Sequence, residues 1–311
     1  MTLSSIRRIV VFGSLNADLV QSIARLPVVG ETIRARDLAT FLGGKGANQA
    51  CAVARLGGRA LIAGVVGQDA FGDAILAELR SLGVDHRLVR RATTMSGMAT
   101  IFVLPNGDNS IVISPGANAL AGADLAAAAA SSLERGDFLL CQLEVPLDAV
   151  GVALSAARAR GATTILDPAP AAQLPLAVLR STEILTPNQI EASTLLGWPD
   201  PIATLEDARA AAVALRAQGS STVIVKLGEL GCLVDDGVLA AHIPAIPGEV
   251  VDTTAAGDTF NGALAVGLAE GRSLHEAARF AVAAASLSVR RRGAIASIPQ
   301  RSEVDAVMAA R

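Results

Sequence analysis

The sequence lacks most of the features that would commit it to a membrane, a nucleic acid or an oxidising compartment. No uninterrupted apolar run reaches the roughly 20 residues that a spanning helix needs, because Asp, Arg and Glu punctuate the alanine-rich segments. The amino terminus shows neither a secretory apolar core nor a small-residue cleavage site, so a soluble protein is expected. A net charge of -3 with 18% charged residues leaves no basic excess for nucleic-acid phosphates, and Arg290-Arg291-Arg292 is a short block. Cysteine is scarce. Cys51, Cys141 and Cys232 are far apart and odd in number, which argues against a disulfide framework or zinc cluster and suits buried, reduced thiols in the cytoplasm. Two common nucleotide signatures are also missing: Lys45 is followed by Gly46 where a Walker A loop needs Ser or Thr, and no G-x-G-x-x-G follows the first strand. His86, His242 and His275 stand apart from every motif below, and Trp198 lies in loop chemistry as a packing anchor.

What is present is an alternation of short apolar runs and helical periods. A 51% hydrophobic content over 311 residues supplies a substantial core, and no repeat or linker divides the chain. Strands are expected near Arg7 to Gly13, Leu61 to Val66, Phe138 to Leu143, Thr163 to Leu166, Glu183 to Leu185 and Thr222 to Leu227. Helical patterns follow Lys45, run from Ala70 to Leu82, start at Asp124 and near Asn188, and extend from Ser273 to about Val289. This rhythm predicts one continuous α/β domain, residues 1–311, with a doubly wound, mostly parallel sheet flanked by helices. Residues 15–41 and 97–115 carry shorter strand-like pieces, the second set around the turn Pro105-Asn106-Gly107-Asp108. They form either a small sheet acting as a lid over the strand ends or an extension of the main sheet.

The most informative stretch is Asp252-Thr253-Thr254-Ala255-Ala256-Gly257-Asp258-Thr259-Phe260. Phe260, Ala263, Leu264 and Leu268 recur at helical spacing, so a helix begins near Ala256 or Gly257 and stops at Gly271. Its first amides have no partner within the helix, and small side chains leave them open to an anion. Asp258 in that first turn can take a proton from an attacking hydroxyl, the arrangement of a phosphoryl-transfer site, or it can simply complement the helix dipole.

Other polar groups fall after strand ends, where open α/β sheets bind ligands. Ser14-Leu15-Asn16-Ala17-Asp18 follows the first strand, offering ligand donors and acceptors or a local Asx-type turn. Leu42-Gly43-Gly44-Lys45-Gly46-Ala47-Asn48-Gln49 lets backbone approach a ligand, with Lys45 and Asn48 adding donors. Asn188 and Glu191 stand one turn apart, as a helix cap and its capping-box partner, as holders of the waters of a hydrated Mg²⁺, or as both. Gly228-Glu229-Leu230-Gly231 makes a tight turn that borders a nucleotide or closes a hairpin.

Taken together, Gly43-Gly44-Lys45-Gly46-Ala47-Asn48 and Asp252 to Asp258, supported by Ser14 to Asp18, Gln142-Leu143-Glu144, Asn188 to Glu191 and Arg292-Gly293-Ala294, resemble the ribokinase family of sugar kinases, also called the PfkB carbohydrate kinase family. The resemblance runs from Val10 to the carboxyl terminus. It implies Mg²⁺- and ATP-dependent transfer of the γ-phosphoryl group to the 5-hydroxyl of D-ribose, with K⁺ as activator and a homodimer closed through the lid. By that resemblance Asp258 is the general base and Ala255, Ala256 and Gly257 the anion hole. Asn16, Asp18, Gly44, Lys45, Asn48 and Glu144 surround the sugar; Asn188, Lys226, Gly228 and Gly231 border ATP; and Glu191 serves Mg²⁺. Asp252, Thr254 and the Ser288, Arg291, Gly293 and Ser297 region are implied to cage the monovalent cation. The family often has glycine where this chain has Ala255, and alanine supplies the same N–H. Within this fold the acceptor can also be deoxyribose, a nucleoside or another sugar, and a non-catalytic sugar-binding module is the reading from a different class.

Overall fold

The computed structural model describes residues 7–105 and 109–310. The chain enters through β1 (Arg8–Phe12), crosses to a separate small sheet as β2 (Asn16–Ser22) and β3 (Asp37–Gly43), and returns through α1 (Lys45–Arg55) and β4 (Arg59–Gly67). After α2 (Ala70–Ser81) and β5 (Asp85–Ala92) it re-enters the small sheet as β6 (Gly97–Val103) and β7 (Asn109–Ser114). Alternation resumes with α3 (Ala123–Ser131), β8 (Phe138–Cys141), α4 (Leu147–Ala159), β9 (Thr163–Leu166), α5 (Leu176–Arg180), β10 (Ile184–Leu185), α6 (Gln189–Leu196) and α7 (Leu205–Ala217). A final group comprises β11 (Thr222–Lys226), β12 (Cys232–Asp235), β13 (Ala240–Ile243), α8 (Ala256–Ala269), α9 (Leu274–Ser288) and α10 (Arg301–Ala309).

The large sheet runs β13-β12-β11-β10-β9-β8-β1-β4-β5, parallel from β11 to β5, with β12 and β13 added antiparallel at one edge. Its order reverses between β1 and β8: the chain first winds outward to β4 and β5, then restarts on the other side. Such a switch opens a crevice at the carboxyl ends of the strands. Strand periodicity splits the core into two layers. Ile9 and Val11 pack with α1, α8 and α9 on one face, Val10 and Phe12 with α3, α4 and α7 on the other. The three cysteines are free and lie inside these layers, and burial pushes the thiols of Cys51 and Cys232 up to about 12. They are inert packing residues.

The small sheet, ordered β3-β2-β6-β7, springs from the crevice. Asn16 pairs with Gly43 on one side and Gly97 on the other, so the first residue of β2 sits at the root of both neighbours. The expected lid segments are therefore a separate sheet rather than an extension of the large one. Residues 106–108 of the expected turn lie outside the described residues. β5, β13, α5, α7 and α10 have no counterpart in the sequence reading. β5 is an edge strand, and its run Asp-His-Arg-Leu-Val-Arg-Arg-Ala is too charged to read as a buried strand. β8 ends at Cys141, short of the expected Leu143, which releases Gln142 into the crevice.

Candidate active site

Two helix starts meet over the crevice. Gly44 precedes α1 at φ 86, and Ala255 precedes α8 at φ 58; neither helix has a side-chain cap. Ala255 is the one non-glycine residue at positive φ among the described residues, a conformation that costs an L residue about 1–2 kcal/mol. The Ala256 N–H already donates to the Thr253 carbonyl at 3.2 Å. The expected three-amide anion hole is thus altered: Ala256 is engaged, while the N–H groups of Gly257 and Asp258 project from the start of α8. α8 reaches α1 because Gly262 has no side chain; a Cβ there would lie 2.6 Å from the Ala52 Cβ.

That contact brings Asp258 against α1. Asn48 Nδ2 donates to Asp258 Oδ2 at 2.9 Å, and Gln49 Nε2 donates to Oδ1 at 3.1 Å. Burial pushes the Asp258 carboxyl above the ordinary range; Lys45 pulls it back, Asp167 pushes it up again, and the two amide donors restrain it. A carboxylate with raised proton affinity in a cleft is suited to proton abstraction.

On the lid side, Glu144 gathers the groups that follow β1. Its Oε2 accepts from Ser14 Oγ at 2.5 Å, from the Lys45 N–H at 3.3 Å and from Asn16 Nδ2 at 3.4 Å. Asn118 fixes Asn16 from behind, donating to its Oδ1 at 2.7 Å. Asp18 is pushed up to about 7, first by burial, then by Glu144 and Asp258, against the pull of Lys45. Asn48 Oδ1 is buried with no hydrogen-bond partner among the described residues, and with Asp18 Oδ2 it borders Gly43. These acceptors suit sugar hydroxyls. The structure therefore gathers Asn16, Asp18, Gly44, Lys45, Asn48, Glu144 and Asp258 into one polar chamber, and Asn16 and Asp18 sit in a strand rather than a turn.

Beyond Lys45 and Asp258 the chamber opens into a cleft of about 1140 Å³. Its polar end carries Asn188, Glu191, Lys226, Gly228 and Gly231; its apolar wall includes Ile246, Val250, Val282 and Val289. Asn188 and Glu191 form a capping box, with Glu191 accepting from the Asn188 N–H and Nδ2 at 2.7 Å each. Burial raises the Glu191 pKa, Lys226 lowers it and Asp167 raises it. Gly228 and Gly231 line the cleft, and the turn they make closes the antiparallel pair β11–β12, which is the hairpin reading of that turn. Lys226 Nζ pairs with Asp167 Oδ1 at 2.7 Å.

Below the α8 start, Asp252 Oδ1 accepts from the Thr254 N–H and Oδ2 from the Gly293 N–H, both at 2.9 Å. The Asp252 N–H reaches Val289 O at 3.1 Å, tying this loop to the end of α9. Ser288 and Ser297 are fully buried with their hydroxyls on Ala285 O and Ala294 O. The Arg291 side chain pairs with Glu303. Among the described residues no cluster of three or more His, Cys, Asp or Glu could hold a metal. The donor set fits cations held by few carboxylates together with phosphate, carbonyl or water oxygens.

Gln49, Asn118, Gln142 and Asp167 are site residues the sequence reading did not select. Gln49 closes the glycine-rich stretch Leu42 to Gln49 and Gln142 opens Gln142-Leu143-Glu144, so membership of those stretches is the signal the sequence offers. Asp167, in Leu-Asp-Pro after β9, offered only its position at a strand end.

A helix start with free amides, a buried carboxylate and an adjoining polar chamber are compatible with phosphoryl transfer to a hydroxyl. Residues 6–301 match the pfkB family carbohydrate kinases, and the chain belongs to that family. The ribokinase of Bacillus subtilis (strain 168) is 41% identical over 303 residues, covering 97% of this chain and 99% of the relative. The deoxyribokinase of Salmonella typhi is 36% identical over 293 residues, covering 94% and 95%. The structure of Arabidopsis thaliana ribokinase complexed with ribose and ATP matches with a TM-score of 0.87 at 37% identity, covering 97% of this chain and 98% of that one.

Proposed function

We propose that the protein transfers the γ-phosphoryl group of ATP to the 5-hydroxyl of D-ribose, giving D-ribose 5-phosphate and ADP. The observation that carries this reading is Asp258, held by Asn48 and Gln49 between the polyol chamber and the nucleotide cleft. The Arabidopsis relative complexed with ribose and ATP supports the substrate pair. The sugar 5-hydroxyl oxygen forms the new bond to the γ-phosphorus while the bond to the bridging oxygen breaks, and that electron pair leaves with ADP. Asp258 takes the hydroxyl proton, and the free amides at the start of α8 face the charge on the transferred group. Asn16, Asp18, Asn48 and Glu144 orient the sugar, while Asn188, Lys226, Gly228 and Gly231 border the nucleotide.

When bound, Mg²⁺ neutralises phosphate charge; Glu191 would hold it through water, with Asn188 fixing that carboxylate. A monovalent cation such as K⁺ fits the Asp252 loop with Thr254 and the Ser288, Arg291, Gly293 and Ser297 segment, and it would order the α8 start. The exposed Leu38, Ile111, Val112 and Ile113 on the small sheet support a homodimer through the lid. Three buried free thiols, with no helix among the described residues long and apolar enough to cross a membrane, support a cytoplasmic setting.

A second acceptor, 2-deoxyribose, is favoured by the Salmonella relative. The test is ADP release over a panel of pentoses, 2-deoxyribose, hexoses and nucleosides, with the phosphorylated position read by NMR. Greatest kcat/KM with ribose is expected; greatest with 2-deoxyribose would move the protein to that acceptor. No ADP release with any sugar would leave a binding module.

A further inference from the structure

We propose that Gln49 and Gln142 are positioning residues for the phosphoryl transfer, forming with Asp167 an amide relay that orients Asp258 and ties it to Lys226 in the nucleotide cleft. The inference rests on Asp258 acting as the base. Gln142 Nε2 donates to Gln49 Oε1 at 2.6 Å. That bond commits the Gln49 carbonyl and sets the direction of its amide. Gln49 Nε2 is then shared between Asp258 Oδ1 at 3.1 Å and Asp167 Oδ2 at 3.2 Å. Both glutamines are fully buried. A reversed Gln49 would set its oxygen against two carboxylates, so the polarity is enforced from the carboxylate end, and Gln142, whose Oε1 has no hydrogen-bond partner among the described residues, follows it.

The relay has two consequences. Asp258 has a donor on each oxygen, Asn48 on Oδ2 and Gln49 on Oδ1, which fixes the carboxylate plane and the lone pairs left for a sugar hydroxyl. Asp167 gives its other oxygen to Lys226 Nζ at 2.7 Å, and that ammonium lies 3.3 Å from where a Cβ on Gly257 would stand. Lys226 is thus parked beside the α8 amides. A phosphate arriving there competes with Asp167 for the ammonium, and the change reaches Asp258 through Gln49. Nucleotide occupancy and base orientation are coupled by this route.

The experiment compares the parent with Gln49→Leu and Gln142→Met for kcat, KM of both substrates, ribose affinity by calorimetry and the pH profile of kcat. Loss of one hydrogen bond to a charged group predicts a kcat about 10- to 100-fold lower for Gln49→Leu, with both KM values and the ribose affinity within about threefold. The acid limb of kcat moves to higher pH, because Asp258 loses a donor to its charged form while Asp167 and Asp18 still oppose that charge and only Lys45 and the Asn48 amide favour it. Gln142→Met leaves every Asp258 contact intact but removes the donor that holds the Gln49 carbonyl, giving a smaller change in the same directions. A merely structural role lowers stability without moving the acid limb. An unshifted limb with parent kcat, or a loss confined to KM, overturns the relay; if Gln49→Leu does not fold, Gln142→Met decides by the same readouts. An inactive parent sinks the kinase reading instead, so the two failures are distinct.

Discussion

Replacing Asp18 by Asn should stabilise the ligand-free protein, and the gain should grow with pH. The Asp18 carboxyl is pushed from 3.8 to about 7, chiefly by burial, then by Glu144 and Asp258, with Lys45 opposing. Between those pH values the folded chain keeps a proton that the unfolded chain has released. Stability from this group is complete below the unfolded value and is lost as pH rises through about 7. At about 1.4 kcal/mol per unit, ionising Asp18 in the folded state costs about 4 kcal/mol, and relaxation of the site brings the expected figure to about 2–4 kcal/mol. Asn keeps the shape of the protonated carboxyl and cannot ionise. Urea unfolding of both proteins without ligand should put the variant ahead by about 1–1.5 kcal/mol at pH 5 and by about 2–4 kcal/mol at pH 8.5. The same change removes an acceptor for the sugar hydroxyls, so kcat/KM for ribose should fall by about 5- to 150-fold. A stability gap equal at pH 5 and pH 8.5 would refute the reasoning, since a pH-independent gain belongs to packing rather than to charge.

Asp258→Asn should lower kcat by about 10²- to 10⁴-fold with ribose and ATP affinity nearly kept, and a parent-like rate would remove Asp258 as base. Ala255→Gly should raise stability by about 1 kcal/mol or less, because relief of the left-handed backbone exceeds the entropy cost of glycine, with activity retained; a measurable loss in chemical unfolding would contradict that strain. Turnover should be faster in K⁺ than in a large organic cation at matched ionic strength, and equal rates would reject a cation at the Asp252 loop. Light scattering at micromolar concentration should give twice the chain mass, and Ile113→Lys should shift it toward the monomer; a monomeric parent would dismiss the lid interface.

The strand rhythm and the two ligand motifs were legible because each is local. The inner residues of β1, β4 and β11 are apolar throughout, as strands buried on both faces must be, and the start of α8 follows from small residues ahead of a helical period. Edge elements were not. β5 is charged because its outer side is unpaired, and α7 opens on a Thr204 and Asp207 capping box, its local start signal. The site residues divide in the same way. Asp258, Lys45 and Asn48 sit inside motifs, whereas Asp167 enters through a contact with Gln49, 118 positions away, that only the folded sheet creates. Asn118 reaches Asn16 over 102 positions by the same means.

The site holds more acidic than basic side chains, and this imbalance suits the proposed chemistry. Asp18, Glu144, Asp167, Glu191 and Asp258 surround Lys45 and Lys226, and burial raises the pKa of Asp18, Glu191 and Asp258. The two lysines take different parts. Lys226 is pinned to Asp167 on the cleft side, while Lys45, whose charge burial opposes, is held protonated by Asp258, Asp167, Glu144 and Glu191. A carboxylate left near 3.8 would be a poor acceptor for a sugar proton at neutral pH; the crowding that makes Asp18 costly to ionise also raises the proton affinity of Asp258. ATP adds further negative charge to this chamber, so a nucleotide that arrives with a divalent cation meets less repulsion than the bare polyphosphate. Stability given up at Asp18 and proton affinity gained at Asp258 therefore have one physical origin, the burial of several carboxylates around two ammonium groups.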